Sequence, residues 1–221
     1  MSALIQVGLR LFGAAMALCA GASVSAQVDI PGYPASVEQA DVREVAMLPS
    51  YCKYTQVFRG RVAGGSDQTQ VDYWYATLGP TFHAMHHYCW GLMKTNRSVL
   101  LASERQAKIF YLESAITEFD YVITHASEDF VLLPEILTKK GENYIRLGRP
   151  WLAIPEFERA MELKPDYWPP YAHLSDHFKS TGDRERAREL LTRGLSFAPD
   201  AKALRSRLAE LETQRPRSAK P

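Results

Sequence analysis

Four side chains able to hold a metal or exchange electrons crowd one short stretch: His83, His86, His87 and Cys89, with Tyr88 and Trp90 among them. On a helix, His83 and His87 share one face at i, i+4, and His86 and Cys89 share another at i, i+3. Imidazole and thiolate are good ligands for zinc or copper. The neighbouring residues do not complete a familiar metal chemistry. A zinc-protease helix reads H-E-x-x-H, and Ala84 stands where its general base belongs. There is no C-x-x-C-H run for covalent haem. A metal-binding or redox accessory protein centred on these four residues is therefore the alternative reading of the chain.

Cys89 has a simpler role open to it. Residues 1–26 read as a secretory signal: Arg10 is the only charge, an apolar run follows from Leu11 to Ala22, and Val24-Ser25-Ala26 offers a small-residue cleavage site before Gln27. A retained N-terminal anchor is the other possibility, although the apolar run is short for a membrane span. Cys19 does not follow a lipidation pattern, because Leu18 precedes it. Removal of the signal leaves Cys52 and Cys89, and an even pair in an exported chain is expected to form a disulfide. That bond would tie residues 51–58 to a helix over residues 81–94 and take the thiolate away from any metal. A loop of this size is worth roughly 3–4 kcal/mol in the chain-entropy view.

Other chemistries find no support. The serines lack a G-x-S-x-G context. The Gly64-Gly65 pair stands alone, with no Gly-Lys-Ser/Thr or G-x-G-x-x-G pattern, so nucleotide binding is not indicated. No cofactor is called for, and the chain reads as a non-enzyme. The 26 basic and 25 acidic residues become 25 of each once Arg10 is removed. Such a balanced chain has no global field to recruit nucleic acid. No later segment is apolar and long enough to span a bilayer, so membrane contact would come only through a larger complex.

The elements that would position these residues follow a period. Pro165 and Pro199 lie 34 residues apart. Gly141, Tyr144, Gly148, Ala153, Phe157, Ala160 and Pro165 recur as Ser175, Phe178, Gly182, Ala187, Leu191, Gly194 and Pro199. A fixed period of this length signals a stack of helix pairs. Ala153, Phe157 and Ala160 fall on one helical face, where small residues let axes approach and the large one fills the gap. Gly148 and Gly182 suit left-handed helix ends. Pro150 suits a helix start, whereas Pro155 calls for a late start or a mild kink.

The pattern resembles the tetratricopeptide repeat, over residues 134–201 well and 80–133 weakly. The resemblance implies an all-α, antiparallel helix-pair solenoid with repeats at 134–167 and 168–201. The family's early Trp is replaced by Leu137 and Tyr171, and its Leu before the small residue is kept as Leu174 but is Lys140 in the earlier repeat. Residues 80–133 read as a divergent hairpin, in which Ala115, Phe119 and Val122 echo the second helix of a repeat. Glu118 and Asp120 beside that stripe read as a solvated face. Leu204, Leu208 and Leu211 mark a capping helix over residues 202–214. Residues 27–79 form an irregular leader with short helices, one over residues 36–47 and a loop over 61–68, and 215–221 a disordered tail.

By the family's geometry, Glu135, Thr138, Glu142, Ile145 and Arg146 line a concave groove from the first repeat, and Ala172, Asp176 and Lys179 from the second. Such a groove holds a peptide or helix of a partner. The implied protein is an exported scaffold or adaptor in the periplasm or cell envelope. Exported relatives of this kind serve envelope assembly, secretion, pilus or polysaccharide machinery.

Overall fold

A computed structural model describes residues 42–213. The expected signal, most of the leader and the tail lie outside the described residues. Within them the protein is helical, and no strand occurs.

The helices are α1 (Val42–Ala46), α2 (Gln68–Leu78), α3 (Met85–Asn96), α4 (Arg105–His125), α5 (Leu133–Arg146), α6 (Pro150–Leu163), α7 (Pro169–Ser180), α8 (Arg184–Phe197) and α9 (Lys202–Thr213). Two 3-10 turns, Ser50–Tyr54 and Gly79–Ala84, precede α2 and α3. Sequence reading did not place α2. Asp67 caps it, accepting from the backbone N–H groups of Thr69 and Gln70 at 3.0 and 3.4 Å. The helix over 81–94 is shifted, since a 3-10 turn occupies its first residues. The second helix of the expected 80–133 hairpin starts at Arg105, after a π-helical turn over Arg97–Leu101.

Helix ends explain the 34-residue period. The Arg149 N–H bonds the Tyr144 carbonyl at 2.9 Å, and the Asp183 N–H bonds Phe178 at the same distance. Gly148 and Gly182 sit between them at φ +71° and +89°. A Cβ is strained in that region, so a six-to-one helix stop selects glycine. The far ends also match: Lys164 bonds Ala160 and Ala198 bonds Gly194, one residue before Pro165 and Pro199. Of the late start or mild kink expected at Pro155, the late start does not occur: α6 begins at Pro150 and runs through Pro155. Pro155 has no N–H to offer the carbonyl of Trp151, four residues before it, and Trp151 is exposed.

Packing follows the small-and-large pattern. A Cβ on Gly141 would meet the Phe157 ring at 2.7 Å, so α5 and α6 touch through a glycine and a ring. Gly91 stands against Phe119 in the same way, with 2.4 Å left for a Cβ. The α3–α4 hairpin is thus built on the same contact as α5–α6, with a longer connection. Lys140, at the position where leucine was expected, bridges Asp120 on α4 and Glu156 on α6 at 2.7 and 2.6 Å. A long side chain with a charged head ties three helices where an aliphatic one would only fill space.

The N-terminal part is held differently. Cys52 and Cys89 form a disulfide with Cα atoms 5.6 Å apart, and both are fully buried. Arg97 is 1% exposed. Its Nε and Nη2 donate to the two Glu44 oxygens at 2.6 and 3.2 Å, and its guanidinium lies over Trp90. Two-point pairing satisfies charges that would otherwise be costly to bury.

Candidate functional site

One layer of the molecule is built from α3, α5, α7 and α9, joined by polar contacts between successive members. Tyr88 on α3 donates to Glu135 on α5 at 2.6 Å, and the Asn143 amide donates to Thr95 at 2.8 Å. His173 on α7 lies 3.1 Å from Glu142 on α5. Arg207 on α9 donates to both Asp176 oxygens at 2.9–3.0 Å, and Lys179 donates to Glu210 at 2.5 Å. Each of the two doubly bonded pairs keeps chain order, so α3 runs parallel to α5 and α7 to α9. Helices α4, α6 and α8 form the second layer.

The residues expected to line a groove all lie on α5 or α7, but they divide into two groups. Thr138 and Ala172 are buried, and the Thr138 hydroxyl turns back to the Pro134 carbonyl at 2.7 Å. Ile145 packs partly buried against the core. Thr138 and Ala172 are corrected from surface to structural residues by their burial, while Ile145 keeps part of its surface exposed. Glu142 is corrected too. It is 7% exposed and bound by Lys139, Arg146 and His173. Burial alone would raise its pKa, but the His173 ring and the Lys139 ammonium hold it at about 2. Glu135, Arg146, Asp176 and Lys179 keep access to solvent.

His83, His86, His87 and Cys89 are not brought together as one ligand set. Cys89 carries no thiolate, being in the disulfide. His86 Nδ1 faces the His83 carbonyl at 2.9 Å, while His87 Nδ1 meets Glu118 at 2.6 Å. The His87, Tyr121 and His125 rings stack in succession at 3.7 and 4.1 Å, and the His86 ring lies tilted against His87 at 4.3 Å. Burial first, and His87 second, push the His86 pKa down. Among the described residues no cluster of three or more His, Cys, Asp or Glu side chains is arranged for a metal ion. Glu118 is not a solvated carboxylate, since it joins His87 and Lys94.

Several members of this face escaped the sequence. His173, Arg207 and Glu210 complete its ladder, and Tyr88 closes its α3–α5 end. A signal existed for the first three. Glu142–His173, Asp176–Arg207 and Lys179–Glu210 are all 31 residues apart. One register between helices repeating every 34 residues produces that constant spacing.

No family model matches this chain, and none of the curated proteins compared with it is similar in sequence.

Proposed function

We propose that the protein is an exported, non-catalytic scaffold of tetratricopeptide type, which holds a protein partner across the face of α3, α5, α7 and α9. The observation that carries this reading is the constant 31-residue register of the three cross-helix pairs. A face with one repeating register offers a partner the same polar environment at regular intervals. The disulfide fits an oxidising compartment outside the cytoplasm. No helix among the described residues is long and apolar enough to cross a membrane. The divergent α3–α4 hairpin and the cap α9 complete the solenoid, and about three units are what such a stack needs. The pathway served, among envelope assembly, secretion, pilus and polysaccharide machinery, follows from the partner.

The test is photocrosslinking in living cells from two positions. A crosslinker at Arg146, on the proposed face, captures a discrete protein. The same group at the exposed Trp151, on the second layer, does not. Equal yields from both positions, or none from Arg146, would sink the scaffold reading. Fractionation of the same cells tests export directly.

A further inference from the structure

A cleft beside the disulfide belongs to no part of the face described above. It encloses about 370 Å³ between α2 and the two 3-10 turns, a volume in the range of small-molecule sites. α2 turns one face to it: Gln68, Val71, Asp72 and Tyr75, spaced i, i+3, i+4 and i+7. Tyr54 from the first turn and Phe82 from the second supply buried apolar wall. The first turn carries Cys52, and the second leads into α3 with Cys89, so the disulfide ties these walls together. A covalently framed cleft is preformed, which lowers the cost of ordering its walls on binding.

The polar groups of the cleft are within reach of a ligand. Gln56, Arg59, Gln68 and Asp72 line it and are all exposed. Gln68 Nε2 donates to Asp72 Oδ1 at 2.6 Å, which orients both side chains and leaves Gln68 Oε1 and Asp72 Oδ2 available. The Gln56 amide and the Arg59 guanidinium have no side-chain partner among the described residues. Planar donors and planar acceptors therefore lie around one opening, and the one cation and one anion balance. Tyr75 is 42% exposed and lines the same opening beside His83, with ring centroids 5.2 Å apart.

This combination selects among ligands. A lipid chain would leave the amides without partners. A nucleotide calls for more positive charge than Arg59 alone. A flat aromatic molecule would use the rings and ignore the polar rim. A sugar ring uses both: its C–H faces lie on aromatic side chains, and its hydroxyls each donate and accept. Neighbouring hydroxyls match a planar amide, carboxylate or guanidinium two at a time, in the way such groups pair with one another. We propose that this cleft is a binding site for a neutral pyranose, with Tyr75 as its platform and Gln56, Arg59 and Asp72 as hydroxyl partners. The site lies outside the face of α3, α5, α7 and α9 and does not depend on the scaffold reading.

The probes are maltotriose, cellotriose and tri-N-acetylchitotriose, each titrated into the isotope-labelled mature chain. At least one shifts the side-chain amide resonances of Gln56 and Gln68 and saturates with a dissociation constant of about 1 mM or tighter. Gln56→Ala weakens that binding about threefold or more at an unchanged melting temperature, and Tyr75→Ala weakens it about fivefold. The single sugar unit of the bound trisaccharide distinguishes the sources, and either result supports the site: equal affinity means that a free sugar is held, weaker affinity that a longer chain is. If none of the three shifts those amides at about 10 mM, the inference is overturned. It is overturned as well if phenol binds as tightly as the sugar, or if both variants bind the sugar as the parent does. None of these outcomes alters the Arg146 crosslink, which tests the scaffold separately.

Discussion

The α3–α4 and α5–α6 hairpins make the same central contact, a glycine against a phenylalanine ring, yet they are secured by different means. In α5–α6 the two residues, Gly141 and Phe157, lie 16 positions apart in the chain, and a three-residue turn with Gly148 closes the pair. Gly91 and Phe119 lie 28 apart. The added chain forms the π-helical turn at Arg97 and a longer α4. Longer connections cost more entropy to close and hold register less firmly. Staples accompany that loss: the Cys52–Cys89 bond and the buried Arg97–Glu44 pair are both in the N-terminal part. Where the spacing is not kept, a disulfide and the deeply buried Arg97–Glu44 pair appear; where it is kept, the ion pairs, such as Lys140 with Glu156, are less deeply buried.

The largest test of that contrast is removal of the disulfide. Cys52→Ala with Cys89→Ala should cost about 4 kcal/mol, the chain-entropy value for a 37-residue separation. Hydrogen exchange should show the loss in α2–α4 and leave α6–α9 protected. A uniform loss across all helices would mean that the two parts are one cooperative unit.

A smaller pair of changes asks whether the two hairpins pack alike. Gly141→Ala and Gly91→Ala each place a Cβ inside the van der Waals distance of a ring. Both should destabilise by about 2–3 kcal/mol in denaturant titrations, as overpacking does. Phe157→Leu should partly rescue the first variant and Phe119→Leu the second. A rescue in only one hairpin would end the equivalence.

Next comes Glu142, whose pKa is held at about 2, below its ordinary 4.5. A depressed carboxylate contributes stability that is full above pH 4.5 and is lost as pH falls towards 2. Glu142→Gln should cost about 2 kcal/mol at neutral pH. It should also flatten the acid side of the stability profile between those values, with His173→Gln doing so in part. An unchanged profile would show that the cluster does not join α5 to α7.

The smallest effect is expected at the exposed end. A double-mutant cycle on Asp176 and Arg207 should return less than about 1 kcal/mol, because solvent screens both partners. A larger coupling would give α9 a role in holding the stack together as well as covering its end.

Much of this architecture was legible in the residues. Gly148, Gly182 and the two prolines mark helix ends that only certain backbones tolerate, so their spacing reads directly as hairpin length. Lys140 was visible as an exception but not as a strut, since Asp120 and Glu156 sit on two other helices. Thr138 and Ala172 were assigned to a surface because the helical face was known while its covering neighbour was not. The histidine stretch misled for the opposite reason. Its residue types suited a metal, but adjacent positions on one helix diverge by about 100° per residue, and two other groups, Cys52 and Glu118, claimed Cys89 and His87.

By itself, then, the sequence determined the all-helical class, the period, the positions of the turns and the expectation that Cys52 would find Cys89. These depend on local backbone preferences and on simple counting, which travel with the chain. Tertiary structure decided which charges face each other, that Glu142 meets cations while Glu135 meets the Tyr88 hydroxyl, and that Tyr51 and Trp74 bury polar atoms. Those outcomes depend on the register between helices that are 31 or more residues apart, and register is set only when the cores close.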